Sequence, residues 1–462
     1  MSLRHNRQVH LDFLDRTPER ARLDRVFERP DAAFVCVYGR RRCGKSRLLQ
    51  EVLRGHRAAY YVGDDRDAAL ERADLARALA HLLPGFDAVE YPDWGVLLER
   101  WWREAQHGSV LVLDEFPAMV RTAPALPSVL QRLVDTKRGP HLVVCGSSQR
   151  MMHGLVLDGS APLYGRASEI LRLEPLPARF LVGAVAHVSS AVDAIESYAV
   201  WGGVPRYWEL AADYPNRRAA IRDLLLDPHG VLHREPERLL LDDMRDTARA
   251  ASILALIGAG CHRPSEIAGR LGQPATSLSR PLARLVDLGL VAREVPFGTA
   301  PRKAGRTYYR IGDPLLTFWF TFVEPNRSRL AAGHAELVAA EVAEAWPRYL
   351  GPAWEGMVRS AVPRLEVGGR RWGVAQRWWG KTASGGRAEI DIVAECVDAP
   401  RKILVGEVKR SIDPRRIGAV RDALLAKAAD CPALAGREVV PQLWSLERAH
   451  GADGAEEVLP VL

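Results

Sequence analysis

The eight residues Gly39-Arg40-Arg41-Arg42-Cys43-Gly44-Lys45-Ser46 follow the pattern G-x-x-x-x-G-K-[ST]. Before them runs the apolar Phe34-Val35-Cys36-Val37-Tyr38, which reads as a strand. After them Arg47-Leu48-Leu49-Gln50-Glu51-Val52-Leu53 has helical spacing. A strand, a glycine-bounded loop and a helix in that order form a device for holding phosphate. Backbone N–H groups wrap the anion, glycines let the chain approach it, and the helix N-terminus adds a favourable dipole. Lys45 would reach the β- and γ-phosphates of a nucleotide, and the Ser46 hydroxyl would bind Mg²⁺. Gly39 through Arg47 is therefore the expected ATP-binding segment.

The second half of such a site needs carboxylates at a strand end. Ser109-Val110-Leu111-Val112-Leu113-Asp114-Glu115 supplies them, with Asp114 expected on Mg²⁺ and Glu115 expected to polarise the attacking water. Further strands are expected at Ala58–Val62, Leu142–Ser148 (with a polar tip) and Ser168–Leu173, with helices over 10–28, Ala68–Leu83 and Trp94–Gln106. Alternating strands and helices imply a parallel α/β sheet covered on both faces. Ser147 or Ser148, at the tip of the fourth strand, is placed either to sense the γ-phosphate or to cap a turn.

At 462 residues the chain is too long for one core, so about three or four domains are expected. A net charge of +7 permits a nucleic-acid partner without requiring one. The six cysteines lack C-x-x-C spacing, which argues against zinc and disulfides and suits a reducing cytoplasm. The N-terminal residues, with Arg4, Arg7, Asp12 and Asp15, lack an apolar signal core, and no apolar run is long enough to span a membrane. The chain has only seven lysines, and Lys45 and Lys409 both fall inside motifs.

Taken together, these residues resemble the AAA+ and STAND-like ATPases, especially the archaeal and bacterial family fused to a winged helix and a nuclease-like tail. The resemblance is carried by Gly39–Ser46, Leu113-Asp114-Glu115-Phe116, Cys145-Gly146-Ser147-Ser148, Pro162-Leu163-Tyr164-Gly165-Arg166 and Gly202-Gly203-Val204-Pro205-Arg206-Tyr207. It implies that Arg166 sits where related ATPases carry an arginine finger, and that Arg206 is similar to a second sensor arginine in a helical lid. A finger acting on a neighbour would imply a homo-oligomer formed through the ATPase domain.

The expected domains are an ATPase core at 1–180, a helical lid at 181–245 and a winged helix-turn-helix at 246–325. A linker at 326–345 and a restriction-endonuclease-like α/β domain at 346–462 follow. In the winged helix, Ser277, Ser279, Arg280 and Arg284 on the third helix are candidate DNA contacts, with Arg302, Lys303 and Arg306 of the wing on phosphate. Pro281 departs from a good recognition helix.

In the tail, a helix from Pro352 to Val358 and strands at Ala388–Ala394 and Lys402–Lys409 resemble the PD-(D/E)XK fold. Glu407 and Lys409, two apart on a strand, project from one face; Glu389 and Asp391 are expected to do likewise, with Ile390 and Ile392 opposite. Asp391 and Glu407 would bind Mg²⁺, with Mn²⁺ as a substitute. Lys409 would orient the water, and Glu355 would add an outer carboxylate.

The expectation is a cytoplasmic ATPase coupling nucleotide state to DNA binding and metal-dependent DNA cleavage, in genome defence or mobile-element biology. The alternative is a STAND-type switch or transcriptional regulator with a catalytically dead tail. A third reading is a protein-remodelling ATPase.

Overall fold

The structure, a computed structural model, describes residues 16–185, 189–299, 307–447, 451–453 and 458. The described chain falls into two units. One comprises residues 16–175 and Leu239–Arg245, and the other comprises Leu176–Arg238 and the chain from Asp246 onward.

The first unit is built on five parallel strands, β1 (Phe34–Tyr38), β2 (Ala58–Val62), β3 (Val110–Asp114), β4 (His141–Gly146) and β5 (Glu169–Arg172). Their order is β2-β3-β4-β1-β5. The central strands β3 and β4 are buried along their whole length, as expected where helices cover both faces. Alternation divides each strand between two cores. Phe34, Cys36, Leu111, Leu113, Leu142 and Val144 pack with α3 (Ala68–Ala80), α4 (Trp94–Glu104), α5 (Phe116–Thr122) and α6 (Leu126–Val134). Val35, Val37, Val110, Val112, Val143 and Cys145 pack instead with α1 (Thr17–Phe27) and α2 (Lys45–Val52). The expected helix over 10–28 is thus described from Thr17, behind a proline in its first turn, and its earlier residues lie outside the described chain.

This strand order positions the chemistry. β4 lies between β1, which feeds the phosphate-binding loop, and β3, which ends in the carboxylates. The turn after β4, leading into α7 (Gln149–Met152), therefore stands between the two, at the carboxyl ends of the strands where open α/β sheets bind ligands.

The second unit begins with α8 (Ala178–Val185), α9 (Ala191–Trp201), α10 (Pro205–Ala212) and α11 (Arg217–Ile221). α12 (Glu235–Asp243) then leads back to the first unit at Leu239. Three helices follow, α13 (Thr247–Gly258), α14 (Pro264–Arg270) and α15 (Ser279–Asp287), and then an antiparallel pair, β6 (Val291–Glu294) and β7 (Tyr308–Ile311). Pro281 is the third residue of α15, in a first turn whose N–H groups have no intrahelical partner to lose, so it does not break the helix.

After α16 (Pro314–Phe318), the stretch expected as a linker at 326–345 carries α17 (Arg327–Ala331) and the first turns of α18 (Ala335–Ala361). α18 is one helix of 27 residues with Pro347 and Pro352 inside it. Val338, Val342, Leu350, Trp354 and Val358 recur at helical spacing and are all buried, which holds the helix together through both prolines. A short pair, β8 (Glu366–Val367) and β9 (Arg370–Arg371), precedes the sheet β10 (Gln376–Lys381), β11 (Arg387–Glu395), β12 (Lys402–Lys409) and β13 (Glu438–Ser445). β10, β11 and β12 run antiparallel and β12–β13 parallel, with α19 (Ile417–Ala429) connecting the last two.

Candidate functional site

Gly39 has φ +148°, and a Cβ there would stand 2.3 Å from the Leu173 carbonyl oxygen, so only glycine fits. Gly44 (φ +89°) turns the chain into α2. Lys45 is buried and folds back over its own loop, donating to the Gly39 carbonyl at 2.8 Å and the Arg40 carbonyl at 3.1 Å. Its ammonium is held inside the loop that the sequence reading assigned to phosphate.

Ser46 Oγ donates to Asp114 Oδ2 at 2.7 Å, which brings together two residues separated by 68 positions. The Tyr60 hydroxyl donates to the same oxygen, and the Glu115 N–H donates to Oδ1 at 2.8 Å. Burial by itself would raise the Asp114 pKa. Hydrogen bonds from Tyr60, Cys145, Ser46 and the Glu115 N–H outweigh it and hold the carboxyl below its usual range. Asp114 is thus kept ionised beside a hydroxyl, a pair of hard oxygen donors suited to Mg²⁺ that also takes phosphate and water ligands. Glu115 takes a left-handed backbone (φ +50°), uncommon outside glycine. Ser147 Oγ lies 3.1 Å from each of its carboxylate oxygens. Ser148 caps α7 through Met151 N at 3.3 Å, so of the two serines it is Ser147 that meets the carboxylate.

Arg16 and Tyr60 escaped the sequence reading. Arg16 is only 6% exposed and donates to the Cys43 carbonyl at 3.1 Å and the Glu174 carbonyl at 2.7 Å, strapping the loop to the chain after β5. Arg166 and Arg206 are both engaged locally. Arg166 makes a two-pronged pair with Asp135 (2.8 and 3.1 Å), and Arg206 pairs with Glu209 at 3.0 Å on its own helix.

Of the C-terminal candidates, Asp391 lies at a β-bulge. Gln376 pairs with Val393 and Trp378 with Ile390, so Asp391 and Ile392 together oppose the single residue Arg377. The bulge corrects the expected alternation. Ile390 and Val393 share one apolar cluster, whereas Ile392 lies beside Gly406. It also re-aims Asp391, whose Oδ2 accepts the Val408 N–H at 2.9 Å. Burial, followed by the charge of Glu355, raises the Asp391 pKa to about 6; the Val408 N–H opposes this, and Glu407 and Lys409 act more weakly. Glu355, Glu407 and Lys409 thus all lie near enough to act on the Asp391 carboxyl.

Glu407 is held differently. Lys409 (2.7 Å) and Lys427 of α19 (2.9 Å) each take one of its oxygens. Burial would raise this acid, but the two ammonium groups lower it below its usual range. Glu355 faces Arg359 at 3.6 Å, and Arg359 also donates to the Asp391 carbonyl at 3.2 Å. Among the described residues no group of three or more His, Cys, Asp or Glu is disposed to hold a metal ion.

The β6–β7 hairpin is docked on this sheet. Phe297 N donates to the Arg377 carbonyl at 2.8 Å, Arg377 pairs with Glu294 at 3.2 Å and also with Glu389, and Tyr308 stacks on Trp379 at 4.7 Å. Of the expected DNA contacts, Ser279 and Arg280 of α15 are exposed, whereas Ser277, before that helix, bonds within its own turn and accepts from Arg249. Arg284 is half-buried, and Arg302, Lys303 and Arg306 lie outside the described residues.

Comparison with known proteins agrees with this geometry. Residues 13–210 match the model of an ATPase domain predominantly from Archaea, and residues 319–416 match a family of archaeal and bacterial proteins of unknown function. The chain is similar to the uncharacterized protein MJECL04 of Methanocaldococcus jannaschii, 26% identical over 411 residues, covering 86% of this chain and 87% of that one. Among solved structures it is similar to the Walker-type ATPase PABY2304 of Pyrococcus abyssi, with a TM-score of 0.53 at 17% identity, covering 67% of this chain and 97% of the other. A looser likeness, with a TM-score of 0.41 at 16% identity, is to the ORC2 protein of Aeropyrum pernix, covering 70% and 98%. The first unit therefore has the fold of a P-loop ATPase, and residues 13–210 carry an ATPase domain of the type found mainly in Archaea.

Proposed function

We propose that the protein is a Mg²⁺-dependent ATPase whose nucleotide state acts on a DNA-facing C-terminal half. The observation that carries the first part is the 2.7 Å bond between Ser46 Oγ and Asp114 Oδ2, with Glu115 held by Ser147 alongside. Lys45 exchanges its loop carbonyls for the β- and γ-phosphates. Bound Mg²⁺ supplies neutralisation of the charge on the transferring phosphoryl group. Glu115 accepts the proton of the attacking water, and Ser147 orients it. Arg166 is the cation that a neighbouring copy would contribute, after release from Asp135.

This is tested by ATP turnover in Mg²⁺ and in EDTA, for wild type and Asp114→Asn. Turnover should need the metal and fall by at least about a hundredfold in the variant, since the carboxylate is both metal ligand and anchor of Ser46. Metal-independent turnover, or full activity of Asp114→Asn, would sink the proposal.

For the C-terminal half, the nuclease-like reading is supported by the helix–strand–strand placement of Glu355, Asp391, Glu407 and Lys409, and by the bulge that aims Asp391. The three helices followed by a hairpin support the winged-helix reading, with Ser279 and Arg280 presented to DNA. A second reading, a switch with a non-cleaving tail, is favoured by Glu407, both of whose oxygens are bound to lysines. Linear, circular and branched DNA incubated with Mg²⁺ or Mn²⁺, with and without ATP, separates them. Cleavage lost in the Asp391→Ala, Glu407→Ala double variant supports the nuclease, and identical traces support the switch.

A further inference from the structure

The chain returns to the ATPase unit long after the core sequence has ended. Leu239–Arg245, the end of α12 and the turn after it, belong to the same unit as the phosphate-binding loop. Two consecutive acids there make the contacts. Asp243, 8% exposed, accepts the Arg150 N–H at 3.0 Å on Oδ1, and Ser148 Oγ lies 3.4 Å from the same oxygen. Ser148 Oγ also donates to the Asp242 carbonyl at 2.8 Å, and the Asp242 carboxylate stands 3.6 Å from Arg41 of the loop.

These contacts end on the turn after β4. Ser147 is the residue before Ser148, and its hydroxyl reaches both oxygens of Glu115 at 3.1 Å. Glu115 itself, just past the end of β3, sits in a left-handed backbone conformation, and its carboxylate accepts from the Ser147 hydroxyl. The turn has no regular ladder to hold it, because β4 ends at Gly146. A buried carboxylate accepting a backbone N–H is a strong anchor for such a turn.

We propose that Asp243 is a positioning residue for ATP hydrolysis. It fixes the Ser147–Ser148 turn from which Ser147 holds Glu115, and so ties turnover to the end of α12. This rests on the hydrolytic role proposed for Glu115. The consequence is a route for coupling. α13 begins four residues after Asp243, so a displacement of the segment between α12 and α13 is felt at the hydrolytic carboxylate without touching the nucleotide.

The test uses the full chain and three readouts: kcat, equilibrium ADP affinity and Tm. Asp243→Ala should lower kcat about tenfold, the worth of one charge-assisted hydrogen bond, with ADP affinity within about twofold of wild type. Asp243→Asn keeps an oxygen facing the Arg150 N–H and should restore most of kcat. In a Ser147→Ala background, Asp243→Ala should produce no further loss, because its effect passes through that hydroxyl. Additive losses, an unchanged kcat in Asp243→Ala, or a fall in ADP affinity instead of kcat would overturn the proposal. Should Asp243→Ala fail to fold, Ser148→Ala removes the hydroxyl that bonds the Asp242 carbonyl; it should lower kcat in the same way, and unchanged kcat there is equally fatal. Glu115→Gln is measured alongside. Turnover surviving in Glu115→Gln would remove the hydrolytic reading itself, whereas loss there with Asp243→Ala unaffected removes only this one.

Discussion

Asp391 carries its charge at a cost to the folded state, and that cost has a pH signature. Burial and Glu355 raise its folded pKa to about 6 from the 3.8 of a free aspartate. A raised folded pKa contributes stability that is fully present below the unfolded value and is lost as pH rises through the folded value. Asp391→Asn keeps an acceptor for the Val408 N–H and removes the charge. The variant should therefore gain up to about 3 kcal/mol over wild type at pH 8, and little at pH 4. Urea unfolding at the two pH values checks this, and an equal difference at both would contradict it. The same residue shows what the sequence could and could not disclose. Its place as a candidate followed from the resemblance to the PD-(D/E)XK order of helix, strand and strand, with spacing in support. Its orientation did not, because the bulge depends on how β10 pairs with β11, which no alternation within β11 records. Arg16 was hidden for a related reason: its partners Cys43 and Glu174 lie 27 and 158 residues away. Lys45, Ser46 and Asp114 were legible because phosphate chemistry fixes either their spacing or their place at a strand end.

At the scale of elements, the β6–β7 hairpin is part of the C-terminal sheet's surroundings. Arg377, 7% exposed, is shared between Glu294 of the hairpin and Glu389 of the sheet. Removing one partner leaves a buried guanidinium under-compensated, which is more damaging than losing a surface pair. Glu294→Ala should cost roughly 3 kcal/mol in unfolding free energy, and Glu294→Gln less. A loss below about 0.5 kcal/mol, as for an exposed ion pair, would show that the hairpin is not held by this contact. The hairpin was legible as the wing of the expected winged helix. Its docking was not, since the contacts that make it, Phe297 with Arg377 and Tyr308 with Trp379, join residues 80 and 71 positions apart. Only Pro352–Val358 of α18 was legible as helix, and its first turns fall in the expected linker, because prolines such as Pro347 and Pro352 ordinarily interrupt a helix. Buried residues at helical spacing on either side of them carry the helix through.

Across the whole molecule, a P-loop α/β unit is followed by a second unit in which helices, a hairpin and a mixed sheet form one compact body. The segment Leu239–Arg245 is the sequence-distant piece that completes the ATPase unit, and no local pattern marks it as such. The function proposed above divides labour at the nucleotide, where Lys45 would bind phosphate and Glu115 would act on water. Equilibrium ATP affinity and turnover, measured on Lys45→Ala and Glu115→Gln beside wild type, test that division most directly. Lys45→Ala should lose ATP binding, because the only ammonium facing the loop carbonyls of Gly39 and Arg40 in the described loop is its own. Glu115→Gln should bind ATP as tightly as wild type and turn it over at least about a hundredfold more slowly. Equal loss of ATP affinity in both variants, or undiminished turnover in Glu115→Gln, would contradict it.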